Sequence, residues 1–91
     1  MRDFNEAVQA VCRASGLSRE DVLEYPDKRS TDARQALIWH LYQSGWPIMR
    51  LARQFGKDHS TVRYTIRQVE EDLGVLCASR REIAFALARQ L

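Results

Sequence analysis

Apolar residues recur every three or four positions along most of the chain, and this spacing is typical of amphipathic α-helices. Asp3, followed by Glu6 three residues later, resembles a capping box and predicts a first helix that ends at Gly16. Ser18 predicts the start of a short second helix that runs through about Glu24. Both helices therefore begin at a polar capping residue, before an apolar stripe.

The segment 25–30 is predicted to be a loop, because Pro26 cannot continue a helix and restricts the residue before it. Ser30 or Thr31 is expected to cap the next helix. No stretch alternates like a strand, so we predict an all-α, compact bundle of about six helices in a single domain over residues 1–91. The remaining helices are predicted at about 32–44, at 47–55 with Pro47 in the first turn, at 59–73 after Asp58, and from Ser79 to the end.

Several side chains carry no obvious chemistry and are predicted to belong to the core. His40 lies on an apolar stripe and is expected to be partly buried. Cys12 and Cys77 have no partner at metal-binding spacing, so buried, reduced thiols are expected. The larger aromatic residues are expected to pack in the core or between helices, namely Trp39, Tyr42, Trp46 and Tyr64.

The charges separate along the chain, although the net charge is only +2. Residues 28–67 hold eight basic and two acidic residues, whereas the remainder holds six basic and ten acidic ones. A basic centre between acidic ends favours a polyanionic partner. The chain has no apolar run long enough for a membrane span and no signal peptide, so we expect a cytoplasmic protein without a membrane partner.

The most informative segment is 55–62, where one helix is predicted to end and the next to begin. Gly56 stops the first helix, Asp58 caps the second, and polar side chains crowd its first turn. Such a turn predicts a helix-turn-helix over about 47–73, whose second helix enters a DNA major groove. An ordinary capped helix start is the simpler alternative. The outward side of the second helix is predicted to carry His59, Ser60, Arg63 and Arg67, with cations where the helix dipole disfavours them.

The residues Asp58-His59-Ser60-Thr61-Val62, following Phe55-Gly56, resemble the signature of the C-terminal DNA-binding domain (domain IV) of the bacterial replication initiator DnaA. That domain has a Trp-repressor-like helical fold. Weaker matches extend the resemblance over roughly residues 7–90. These matches are the basic stretch Lys28-Arg29-Ser30, Arg34-Gln35 at the start of a central helix, Pro47, and Arg67-Gln68-Val69-Glu70.

The resemblance implies roles for individual residues. The tetrad at 58–61 would read bases, with Ser60 in place of a Thr that carries a methyl group. Lys28 or Arg29 would enter the minor groove. Contacts with phosphates or the groove are implied for Lys57, Arg34, Gln35 and Pro47, and Arg63 and Arg67 add further candidates. The chain departs from the family in having one Gly in the turn instead of two, and it contains no Gly-rich phosphate-binding loop of an ATPase.

Three functions remain open on the sequence. The first is sequence-specific binding of double-stranded DNA by a transcriptional regulator located at the bacterial nucleoid. The second is modulation of replication initiation by competition for initiator boxes. The third is a helical module that binds a protein partner, such as transcription or replication machinery, without specific DNA contact. An enzyme is not expected, because no activated nucleophile or metal-ligand set is present, and no cofactor or small-molecule substrate is implied.

Overall fold

Five helices and no strand make up residues 2–74, the part of the chain that the computed structural model describes. The helices are α1 (Phe4–Ser15), α2 (Arg19–Glu24), α3 (Lys28–Gln43), α4 (Ile48–Phe55) and α5 (His59–Gly74). α3 lies at the centre, because it packs against each of the other four. The all-α prediction is confirmed for these residues, whereas the predicted helix from Ser79 onward and Cys77 lie outside them.

The first two helices begin and end where the sequence predicted. The Asp3 carboxylate accepts hydrogen bonds from N–H groups in the first turn of α1, and Gly16 ends that helix with a left-handed φ of 74°. The Ser18 hydroxyl oxygen accepts from the backbone N–H of Asp21 at 3.2 Å and so caps α2. Local capping chemistry is sufficient to set these boundaries.

The central helix α3 starts at Lys28, four residues before the predicted start, so the predicted loop at 25–30 is wrong in its second half. The cap is Asp27, whose carboxylate accepts from the backbone N–H of Ser30 at 2.9 Å. Hydrogen bonds from the hydroxyl and the backbone N–H of Ser30 lower the pKa of Asp27. Ser30 and Thr31 are therefore helical residues and not caps, and Ser30 is buried.

The core surrounds α3 and receives side chains from every helix. Tyr42 and Tyr64 are 39% and 61% exposed, so their predicted packing in the core is wrong, whereas Trp39 and Trp46 are buried as predicted. Cys12 is only half-buried, and that burial raises the pKa of its thiol. The largest fully buried apolar side chains are Val8, Val11, Val22, Leu37, Ile38, Leu41, Leu51, Val62 and Val69.

His40 is completely buried, and not partly buried as the sequence suggested. One Nη of Arg2 lies 3.1 Å from its Nε2, and because a guanidinium only donates, Nε2 must accept and the neutral ring holds its proton on Nδ1. Burial, followed by the positive charge of Arg2, lowers the pKa of His40 to about 4. The N-terminal segment thereby reaches the C-terminal half of α3.

This environment predicts a pH dependence of stability. Since an ordinary His has a pKa of 6.5, the unfolded chain binds a proton between about pH 6.5 and 4 that the folded chain does not bind. The contribution of neutral His40 to the free energy of unfolding is therefore fully present above about pH 6.5, and up to about 3 kcal/mol of that free energy is lost as the pH falls to about 4. Urea unfolding at a series of pH values will measure the slope. His40→Gln is expected to flatten it, and an unchanged slope in that variant would contradict the assignment.

Candidate nucleic-acid interface

The connection between α4 and α5 is a turn of three residues, 56–58, held by backbone hydrogen bonds. Gly56 adopts a φ of 63°, in the left-handed region that side chains disfavour. The N–H of Lys57 donates to the carbonyl of Ala52 at 2.9 Å, and the N–H of Gly56 to that of Arg53 at 3.4 Å. This pair of bonds is a Schellman motif, so the direction in which α5 leaves α4 is set by the backbone.

Asp58 caps α5, as predicted. Its Oδ1 accepts from the backbone N–H of Thr61 at 2.7 Å, and its carbonyl accepts from the N–H of Val62 at 3.2 Å. Hydrogen bonds from the backbone and side chain of Thr61 lower the pKa of the Asp58 carboxyl. The carboxylate is therefore charged at neutral pH and lies at the exposed N-terminal end of α5.

The two sides of α5 differ sharply in exposure. Val62 and Val69 are fully buried, and Thr65 and Ile66 are each 5% exposed. The residues predicted to face outward are all exposed, namely His59, Ser60, Arg63 and Arg67, and Lys57, Asp58 and Thr61 are exposed beside them. The buried stripe anchors the helix, and the polar residues of its first turn and the two arginines face solvent together.

The outward side of α4 presents a second group of exposed residues that the sequence analysis did not single out. Met49 is 62% exposed, and Arg50 and Arg53 lie on the same exposed side. The Arg50 guanidinium sits 4.1 Å from the ring centroid of Trp46. Because the apolar stripe of α4 faces the core, the 3.6-residue period was the signal that could have identified these outward residues.

The basic residues at the start of α3 are engaged within the chain. Lys28 pairs with Asp32 at 3.1 Å, and an Nη of Arg29 donates to the carbonyl of Ser15 at 2.5 Å. Ser15 is the last residue of α1, so Arg29 binds the C-terminal end of that helix. The stretch 28–30 is thus the first turn of a helix and not the basic loop that the resemblance implied.

Arg34 is engaged with the end of α2. Its Nε donates to the carbonyl of Val22 at 2.8 Å, and one Nη donates to Tyr25 at 2.7 Å and to Asp21 at 3.4 Å. A cation on these carbonyls also complements the negative end of the helix dipole. Arg34 therefore joins α2 to α3.

Two further candidates lie at different places in the fold. Gln35 follows Arg34 in α3 and is half-buried. Pro47 is exposed and precedes α4 as its N-cap, with a ψ of 150°, so it stands one residue outside the helix in whose first turn it was predicted. A shallow groove between α3, α4 and α5 is lined by Tyr42, Ile48, Arg63, Ile66, Arg67 and Glu70.

Within residues 2–74, no group of three or more His, Cys, Asp or Glu side chains is placed to hold a metal ion. No helix in that range is long and apolar enough to cross a membrane. The chemistry of the surface described above is hydrogen bonding and positive charge at the start of α5 and along the exposed side of α4.

The chain is similar to a known replication protein. It is 31% identical over 68 residues to chromosomal replication initiator protein DnaA 2 of Protochlamydia amoebophila (strain UWE25), a match that covers 72% of this chain. The chain spans 15% of that relative's length. No family model and no solved structure matches the chain. The similarity supports a DnaA-like domain.

Proposed function

We propose that this chain binds double-stranded DNA in a sequence-specific manner. In this proposal α4, the turn and α5 form a helix-turn-helix, and α5 enters the major groove with its N-terminal residues on base edges. The observation that carries the proposal is the exposed polar stretch 58–61 at the start of a helix whose opposite side is anchored in the core. The similarity to a protein named as a chromosomal replication initiator also supports a DNA partner. The surface is proposed to bind DNA, not to catalyse a reaction.

The side chains at 58–61 have the chemistry to distinguish bases. The Asp58 carboxylate can accept from a cytosine amino group, and His59 can donate to a purine acceptor. Ser60 can bond to either donors or acceptors, and the Thr61 methyl group can pack against a thymine methyl group. The cap that Asp58 forms with Thr61 holds two of these residues in a fixed relation before DNA arrives.

The phosphate contacts are assigned to cations that the described residues leave unpaired. The charged groups of Arg53, Lys57, Arg63 and Arg67 are exposed and make no hydrogen bond or ion pair within the described part of the chain. Arg34 uses its Nε and one Nη on the carbonyls of α2, so its other Nη is the donor proposed for a phosphate. Lys28, Arg29, Gln35 and Pro47 remain proposed contacts at the edge of this surface.

Two biological roles fit a chain that binds DNA in a sequence-specific manner. We propose regulation of transcription, and the alternative is modulation of replication initiation by competition for initiator boxes, which the name of the relative favours. Mapping the genomic sites occupied by the protein will separate them, because the first role predicts sites at promoters and the second predicts sites at an origin. A module that binds only a protein partner predicts no preference for any DNA sequence.

His59→Ala is expected to weaken binding to the preferred DNA by about 1–3 kcal/mol, since a lost base contact costs that much discrimination. The preferred duplex is the one that the wild-type chain selects from a randomised pool. Fluorescence titration will measure the affinities of the wild type and the variant for this duplex and for a shuffled duplex of the same composition. For the shuffled duplex the variant should have the same affinity as the wild type.

The matched control for this variant is Gln43→Ala, which truncates another exposed polar side chain at the end of α3. It should leave both affinities as in the wild type. If His59→Ala selects the same sequence with the same preference over the shuffled duplex, the base-reading role of His59 is wrong.

A further inference from the structure

Tyr64 is a large aromatic side chain that the fold leaves in solvent. It is 61% exposed on α5, and it makes no hydrogen bond, ring contact or cation–π contact with the described residues. The two tryptophans, by contrast, are at most 7% exposed. Packing within the described part of the chain therefore does not account for a ring at this position.

The position of Tyr64 on α5 places it beside the proposed base-reading residues. It follows Ser60 by four residues and Thr61 by three, and Arg67 follows it by three. Residues three and four apart are neighbours on a helix surface. Since Ser60 and Arg67 are also exposed, the ring of Tyr64 stands between the polar first turn and the exposed side chain of Arg67 on one continuous strip of the helix.

We propose that Tyr64 is a specificity-determining residue whose ring packs against the 5-methyl group of a thymine in the major groove. The inference rests on the proposed function. Ser60 has a hydroxyl group but no methyl group, so it offers thymine no apolar contact, whereas an aromatic ring does. Ser60 and Tyr64 lie along the same strip, so the apolar contact is supplied one helical turn further on.

The dimensions of helix and DNA locate the expected contact. Four residues rise about 6 Å along an α-helix, and base pairs are stacked about 3.4 Å apart. The thymine that Tyr64 contacts should therefore lie one or two base pairs from the position read by Ser60. The N-terminal end of a recognition helix is the part closest to the base edges. Because Tyr64 lies one turn beyond that end, a long side chain is suited to reach the bases from its position.

The test uses the duplex that the wild-type chain selects from a randomised pool, with each thymine replaced in turn by deoxyuridine, which lacks only the methyl group. At one thymine the wild type should lose about fourfold in affinity, the value of one buried methyl group. Tyr64→Phe keeps the ring and should show the same loss. Tyr64→Ala should bind the thymine and deoxyuridine duplexes equally at that position and retain its response at others.

Tyr25→Ala is the matched control, since Tyr25 is a tyrosine of similar exposure (55%) just after α2. It should behave as the wild type. An unchanged thymine preference in Tyr64→Ala would overturn the inference while leaving the proposed function standing. Loss of the preference in both Tyr64→Phe and Tyr64→Ala would also overturn it, because the hydroxyl group and not the ring would then make the contact. Failure of the wild type to select any sequence would overturn both.

Discussion

Val62→Asp is expected to unfold the domain. Val62 is fully buried on the inner side of α5, directly after the proposed base-reading residues. A lone carboxylate there has no partner, and burying one costs several kcal/mol. Small domains have a total stability of only about 5 kcal/mol, so this cost removes most of it. Circular dichroism and urea unfolding should show little cooperative structure at pH 7.

The neighbouring residue gives a control with the same new charge. Arg63 is exposed, so Arg63→Asp should change the free energy of unfolding by less than about 0.5 kcal/mol. The same variant should weaken DNA binding, because it replaces a cation with an anion on the proposed surface. A folded Val62→Asp, or an unfolded Arg63→Asp, would contradict the orientation of α5.

Arg34→Met is expected to lower the free energy of unfolding by about 2–3 kcal/mol, since hydrogen bonds to charged groups contribute about 1.5–3 kcal/mol each and the site is partly open to water. The side chain donates to carbonyls at the end of α2, at 2.8 Å to Val22 and 2.7 Å to Tyr25. Removing it leaves these acceptors without the donor that joins α2 to α3. Urea unfolding of the variant against the wild type measures the loss.

Lys57→Ala provides the matched comparison, because Lys57 is also a proposed phosphate contact but its ammonium group bonds to none of the described residues. Lys57→Ala should keep the stability of the wild type. It should also reduce the slope of the logarithm of the DNA-binding constant against the logarithm of the salt concentration by about one. If Arg34→Met proves as stable as the wild type and behaves like Lys57→Ala, Arg34 is primarily a DNA contact.

Caps and glycines made most of the helix boundaries predictable from the sequence. Asp3, Ser18 and Asp58 cap the helices that follow them, and Gly56 ends α4 in the expected left-handed conformation. The start of α3 was missed because Asp27, Ser30 and Thr31 are all good caps within five residues. Burial of Ser30 against the core decides among them, and burial depends on the tertiary structure.

The roles of charged and aromatic side chains were harder to predict. That Arg29 and Arg34 bind the ends of α1 and α2 depends on how three helices meet, which no local pattern encodes. The partner of His40 is likewise Arg2, which lies 38 residues earlier in the sequence. The exposure of Tyr64, however, follows from the period of α5, because Val62, Ile66 and Val69 face inward and leave position 64 outside.

If the exposed start of α5 reads DNA sequence, the wild-type chain must prefer one duplex to another, and an equilibrium titration measures that preference. The duplex selected from a randomised pool is compared with a shuffled duplex of equal length and composition, over a range of salt concentrations. We predict binding to the selected duplex that is tighter by on the order of a hundredfold or more, with both affinities falling as salt rises. Equal affinities for the two duplexes, or no binding at low salt, would contradict the account.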